Sequence, residues 1–308
     1  MQDLEYAPDG LARAMVTRKT GTIGAVIEDI TNPFYPEVVE ALCSEFAAVN
    51  HRMTLWNSGE AGEPSAVEAI QQRLIDGVVF TTALPSSIAL AEAVRKGLPI
   101  VLVNRHVEGI ECDRVTTDNI TGGRLIANYF ADWDHERIGL ITGIEQASTS
   151  IERESGFREG LEARSRKLDP ALRLVGSFSH RRSYEAMTEM MKLPNPPTAV
   201  FCVNDVMAFG ALNAARALGM RVPEDIWVAG FDDIDMASWE TFDLTTVSQP
   251  INEMVHEAVR LLLNRIDNSD RAPEHLRLGG SEIIVRGSTA HKPPKTHQAV
   301  HPPSTKSV

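Results

Sequence analysis

"TIGAVIEDITNPFYPEVVEALCSEFAAVNHRMTLWN", residues 22–57, contains one full repeat of the architecture. Residues 22–28 form a short, apolar, β-branched run, residues 35–49 carry apolar side chains at helical spacing, and 52–57 is a second strand-like run. Strand, helix and strand in that order make a β-α-β unit, whose two strands are parallel. The alternation continues with strand candidates at 77–82, 99–104, 137–142, 198–203 and 226–231. Helical patterns lie between and beyond them at 64–75, 86–96, 119–131, 152–165, 183–191, 205–218 and 251–267. Helix punctuation agrees: Asp118 and Asn204 with Asp205 sit where N-caps belong, and Gly97 and Gly219 follow helices. Continuous apolar strands between helices predict an α/β fold with parallel sheet covered on both faces. The elements before residue 232 are more than one sheet needs, so two doubly wound subdomains are expected.

Composition narrows the function. The chain has 308 residues and a formal net charge of −12, with 42 acidic against 30 basic residues. Such a body does not coat nucleic acid, and any contact of that kind has to be local. Cys43, Cys112 and Cys202 are odd in number and far apart, the usage of reduced thiols rather than a disulfide framework or zinc site. No apolar run approaches the roughly 18–20 residues that span a bilayer, and "MQDLEYAPDG" lacks a signal-peptide pattern. A cytoplasmic protein with no membrane partner is expected. From about 292 the chain is proline-rich and aperiodic, so 291–308 reads as a disordered tail. Against this acidic background, Gly10 to Ile27 holds no carboxylate but includes Arg13, Arg18 and Lys19.

Catalytic and cofactor signatures are absent. There is no G-x-G-x-x-G after a strand, no G-x-x-x-x-G-K-[ST], no H-E-x-x-H and no G-x-S-x-G, and the histidines lack metal-ligand spacing. No enzyme activity, cofactor or metal is expected. "ITGG" (120–123) is weak evidence for a phosphate cradle. "GFDDID" (230–235) sets three carboxylates after a strand, where one is expected to bind a ligand and the others to cap local amides. "DITNPFY" (29–35) places an amide, Asn32, beside the rings of Phe34 and Tyr35 at another strand's end. Sugars need that mixture of flat apolar faces and paired hydrogen-bonding groups, while a helix start with two core aromatics would show the same residues.

These stretches together resemble the LacI–GalR family of transcriptional regulators. The likeness begins with "LEYAPDGLARAMVTRKTGTIGAVIEDITNPFYPEVVEAL" and runs through "PIVLVNR" (99–105), "DNITGG" (118–123), "ERESGFREGL" (152–161), "VNDVMAFGAL" (203–212), "PEDIWVAGFDD" (223–233), "LTTVSQP" (244–250) and "IIVRGST" (283–289). The fold this implies is of the type I periplasmic-binding-protein kind, two α/β lobes joined by three crossovers. By resemblance, 1–20 is a headpiece remnant with hinge, 21–116 plus 249–278 one lobe, and 117–248 plus 279–290 the other. Family repressors carry a helix-turn-helix before this point, and of it only "LEYAP" is present. Operator DNA is therefore an expected partner only where a headpiece is attached.

The resemblance also implies site residues. Asn32, Phe34 and Tyr35 match first-lobe ligand contacts, and Asn104-Arg105 falls where sugar-binding relatives have Asp-Arg. Asn104 departs from that pattern, a neutral amide in place of a carboxylate acceptor, which argues against a plain ribose-like specificity. Arg153, Phe178, Asn204, Asp232 and Gln249 match contacts of the second lobe and a crossover. Gly10–Val16 corresponds to a hinge helix, with Met15 as the minor-groove wedge and Arg13, Arg18 and Lys19 supplying phosphate attraction. The resemblance therefore implies the effector-binding core of a homodimeric regulator, with a sugar-like effector. The alternative is a solute-binding protein of a sugar transport system.

Overall fold

The structure, a computed structural model, describes residues 19–58 and 61–289. Arg13, Met15 and Arg18 of the expected hinge, and the tail 291–308, lie outside the described residues. The first sheet has six strands, all parallel, in the order β11-β5-β4-β3-β1-β2. Its members are β1 (Thr22–Ile27), β2 (Arg52–Asn57), β3 (Gly77–Phe80), β4 (Ile100–Val103), β5 (Asp113–Thr117) and β11 (His275–Leu278). Helices α1 (Phe34–Ala48), α2 (Gly62–Gln71) and α3 (Ile88–Arg95) link the first four strands. The second sheet, also parallel, has the order β7-β6-β8-β9. It comprises β6 (Ile138–Thr142), β7 (Arg173–Val175), β8 (Ala199–Cys202) and β9 (Trp227–Ala229). Here α4 (Asn119–Asp132) leads in, and α5 (Ser148–Ala163), α6 (His180–Met190) and α7 (Asp205–Ala217) connect the strands. A two-stranded antiparallel ribbon joins β10 (Thr246–Val247) to β12 (Ile283–Ile284).

The stretch 22–57 folds as its pattern dictates. β1 is buried along almost its whole length, because helices cover both faces, and it pairs with β2 and β3 in parallel register. The last helix, α8 (Ile251–Asp267), returns to the first sheet, and its Leu262 and Ile266 close over Gly77 of β3. β5 and β11 are polar for strands, which is why the alternation did not reveal them. Asp113, fully buried at the start of β5, is held by Arg265 and Arg271 at 2.9 and 2.8 Å and accepts the Glu274 amide at 2.8 Å. A paired buried carboxylate thus fastens β11 onto the sheet edge.

Two sequence expectations change, and the weak signal of 120–123 finds a packing role. Helix α5 begins at Ser148, a turn before the expected 152, and α6 at His180 rather than 183. The Ser179 side chain caps α6 by accepting from the Arg182 amide, and that signal lay in a stretch with no apolar period. In "ITGG" the glycines serve helix packing. A Cβ on Gly123 would lie 2.1 Å from the Arg153 carbonyl oxygen, and one on Gly156 1.9 Å from that of Ile120. These glycines let α4 and α5 cross backbone to backbone. The capping reading of Asp233 also fails, since its carboxylate pairs with Arg286 at 2.8 Å, while Asp205 accepts from the nearby Ile234 amide.

Candidate effector-binding cleft

In parallel sheets, ligand groups collect at the carboxyl ends of the strands, where loops enter helices. The predicted residues follow that rule in both sheets. Asn32, Phe34 and Tyr35 follow β1, and Asn104 and Arg105 follow β4. From the facing sheet, Arg153 projects from α5 after β6, Phe178 follows β7, Asn204 follows β8 and Asp232 follows β9. These nine residues, with Thr149, line one inner chamber of about 20 Å³, room for about one water. Gln249, the tenth, stands behind it and donates to Asp232 Oδ1 at 2.6 Å. Asn32, Tyr35 and Phe178 also border an outer chamber of about 430 Å³, whose other walls include Glu28, Asp29, Ser177, Ser179 and His180.

Arg153 is the braced cation of the cleft. Its Nη1 donates to Asp232 Oδ1 at 2.9 Å and to the Val203 carbonyl at 2.7 Å, and its Nε donates to Asn119 Oδ1 at 2.8 Å. The guanidinium lies 3.7 Å from the Phe231 ring centroid, a cation–π contact. Asn119 in turn donates to Glu152 at 2.9 Å, and Thr117 donates to Gln249 Oε1 at 3.0 Å. Burial lowers the Arg153 pKa although Asp232 opposes it, and burial raises that of Asp232 although Arg153 opposes it. Asp205 lies deeper still; desolvation, helped by Asp232, raises its pKa well above the usual carboxylate value.

Arg105 is held more sparingly. Its Nη2 donates to Glu28 Oε2 at 2.6 Å, and the guanidinium stacks 4.9 Å from the Phe178 ring centroid. Nε and Nη1 are buried without a hydrogen-bond partner, as is Oδ1 of neighbouring Asn104. Asn104 sits at φ +70°, a left-handed conformation that Asn adopts more readily than most residues. Desolvation lowers the Arg105 pKa, but Tyr35 and Glu28 outweigh it and the net shift is upward. The Tyr35 hydroxyl donates to the same Glu28 oxygen at 3.0 Å, and burial raises its pKa strongly.

Several residues do double duty. Asn204 caps α7 by accepting from the Met207 amide at 3.0 Å and also lines the chamber. Asn32 Oδ1 accepts from the Phe34 amide at 3.2 Å, while Phe34 and Tyr35 are both core and chamber wall. Phe178 sits at φ +56° against Gly143, where a Cβ would lie 2.4 Å from its ring. Lys19, assigned by resemblance to the hinge, pairs with Asp267 at the end of α8. Sequence reasoning missed Glu28, Asn119 and Thr149. Glu28 stood in plain view at the end of the first strand run, but its partner Arg105 is 77 positions away.

Residues 127–289 match the family described as periplasmic binding protein-like domain. The transcriptional repressor CytR of Escherichia coli is 32% identical over 296 residues, covering 95% of this chain and 86% of that one. A solved complex of the transcriptional regulator CelR with cellobiose superposes with a TM-score of 0.80 at 28% identity, covering 93% of each chain. A LacI family regulator from Enterococcus faecium with bound ribose gives 0.77 at 29% identity, covering 89% of this chain and all of that one. The parallel sheets, the cleft at their carboxyl edges and these likenesses agree: the chain belongs to the LacI family of transcriptional regulators, with its periplasmic-binding-protein-like domain.

Proposed function

We propose that this chain is the effector-binding and dimerising core of its regulator, that a sugar-like small molecule binds in the cleft, and that it catalyses no reaction. The observation that carries the reading is the chamber itself. Aromatic faces, amides and two guanidiniums converge from both sheets on one space, with two donors of Arg105 and an acceptor of Asn104 unpartnered. Buried polar groups of that kind call for a partner, and a polyhydroxylated molecule supplies both acceptors and donors. The cellobiose and ribose bound by the two similar proteins support the same class. Coupling follows from linkage: a ligand that prefers one arrangement of the two lobes shifts their equilibrium, and a homodimer transmits the shift to operator DNA through its headpieces.

The test is ligand-induced thermal stabilisation across neutral sugars, polyols, nucleosides and sugar acids. A hit raises the melting temperature saturably, and Asp232→Ala removes that response. Stabilisation at wild-type level in Asp232→Ala would place the site elsewhere.

A further inference from the structure

The charges of the cleft can be counted, and they cancel. Two guanidiniums face the inner chamber, and each already has a carboxylate of its own: Asp232 at 2.9 Å from Arg153, and Glu28 at 2.6 Å from Arg105. Three of these four side chains are nearly fully buried, and Glu28 retains 24% exposure on the side of the outer chamber. No unpaired arginine is among the lining residues of the outer chamber; Arg182, which donates to Ser177 Oγ at 3.1 Å, stands behind that wall. Within the lining, Arg181 pairs with Glu185 at 3.0 Å, Asp29 contributes a further negative charge, and His180 is engaged with Asn213. An anionic ligand would lose its hydration without meeting an unmatched positive charge, and it would lie beside Glu28 and Asp29. An uncharged ligand meets no such penalty, and the unpartnered Arg105 Nε and Nη1 and Asn104 Oδ1 give it two donors and an acceptor.

We infer that Glu28 sets the charge specificity of the cleft: by neutralising Arg105 it selects an uncharged polyhydroxylated effector and excludes phosphorylated or carboxylated sugars. This rests on the cleft being the effector site, as proposed above. Glu28 is here a positioning residue. Its Oε2 receives both the Tyr35 hydroxyl and Arg105 Nη2, which fixes Arg105 at the chamber wall and leaves its Nε and Nη1 without a protein partner. Glu28→Gln keeps the shape and an acceptor oxygen but removes the charge, leaving Arg105 as an unmatched buried cation.

The experiment uses inorganic phosphate as the probe, so that it does not depend on knowing the effector. Thermal shifts are titrated at constant ionic strength on the wild type, Glu28→Gln, and Glu28→Gln combined with Arg105→Met. The expected result is no saturable response in the wild type, a saturable rise for Glu28→Gln, and its loss in the double variant. A wild-type response abolished by Arg105→Met alone, or no gain in a folded Glu28→Gln, overturns the inference. A second arm compares each neutral sugar that binds with its phosphate or uronic acid, the anionic form expected to bind the wild type on the order of tenfold more weakly or worse. Tighter wild-type binding of an anionic sugar that still needs Asp232 would sink the charge assignment and leave the effector site standing. Sugar responses that persist at wild-type level in Asp232→Ala, with the phosphate arm unchanged, would instead sink the effector site.

Discussion

Arg153 and Arg105 face the same chamber, yet they are held in opposite ways. Arg153 reaches Asp232, Asn119 and the Val203 carbonyl and lies against Phe231, so it ties α5 to the ends of β8 and β9. Arg105 has one ion pair, one ring contact and two unpartnered donors. The difference separates a brace from a reader. In Arg153 both Nε and Nη1 are taken by protein acceptors, which fixes that wall of the cleft; in Arg105 the same two nitrogens have no protein partner, which is what a ligand contact requires.

The contrast can be broken first on stability. Removing Arg153 strands Asp232 as a buried unpaired charge, so Arg153→Met is expected to cost about 3–5 kcal/mol in urea unfolding. An effect as small as that of a surface substitution would show that the brace is not one. The helix that carries Arg153 is set by the glycine crossing, so Gly156→Ala should cost about 2–3 kcal/mol and weaken effector binding with it. Unchanged binding in that variant would separate the crossing from the cleft.

Both arginines stay charged at ordinary pH, so neither accounts for acid sensitivity. His135 does. Burial lowers its pKa to about 4, with its ring 4.5 Å from that of Trp227 and its Nδ1 at 2.8 Å from Thr198 Oγ1. Between its unfolded value near 6.5 and about 4, the unfolded chain binds a proton that the native state refuses, so stability falls as pH falls through that window. His135→Gln should remove a loss of about 2 kcal/mol between pH 7 and 4, discounted for the partial exposure of the ring. An unchanged pH profile in the variant would reject this cause. The smallest stability effect belongs to the reader: Glu28 can hydrate when its partner is lost, so Arg105→Met should cost only about 1–2 kcal/mol.

A similar contrast separates what the sequence made legible from what it hid. Strands β1, β3, β4, β6 and β8 are continuous apolar runs, and their burial on both faces writes them into composition. The nine chamber residues were assigned through stretches that resemble the LacI–GalR family, and only 29–35 and 230–235 stood out by their own residue pattern. Strands β5 and β11 escaped because the buried Asp113 and its arginines, rather than an apolar pattern, hold them in place. β7 is three residues long and partly exposed, too short to carry a period. Glu28 and Asn119 escaped for another reason. A carboxylate at a strand end and an amide at a helix start are ordinary in themselves, and only contacts across 77 and 34 positions give them a role.

The most direct measurement is calorimetric titration of a stabilising neutral sugar or nucleoside into the wild type and Arg105→Met. Arg105→Met, still folded and melting cooperatively, is expected to lose affinity by about tenfold or more, as when hydrogen bonds from a buried cation are removed. Wild-type affinity in a folded Arg105→Met would contradict it, because the unpartnered donors of Arg105 would then have no part in recognising the effector.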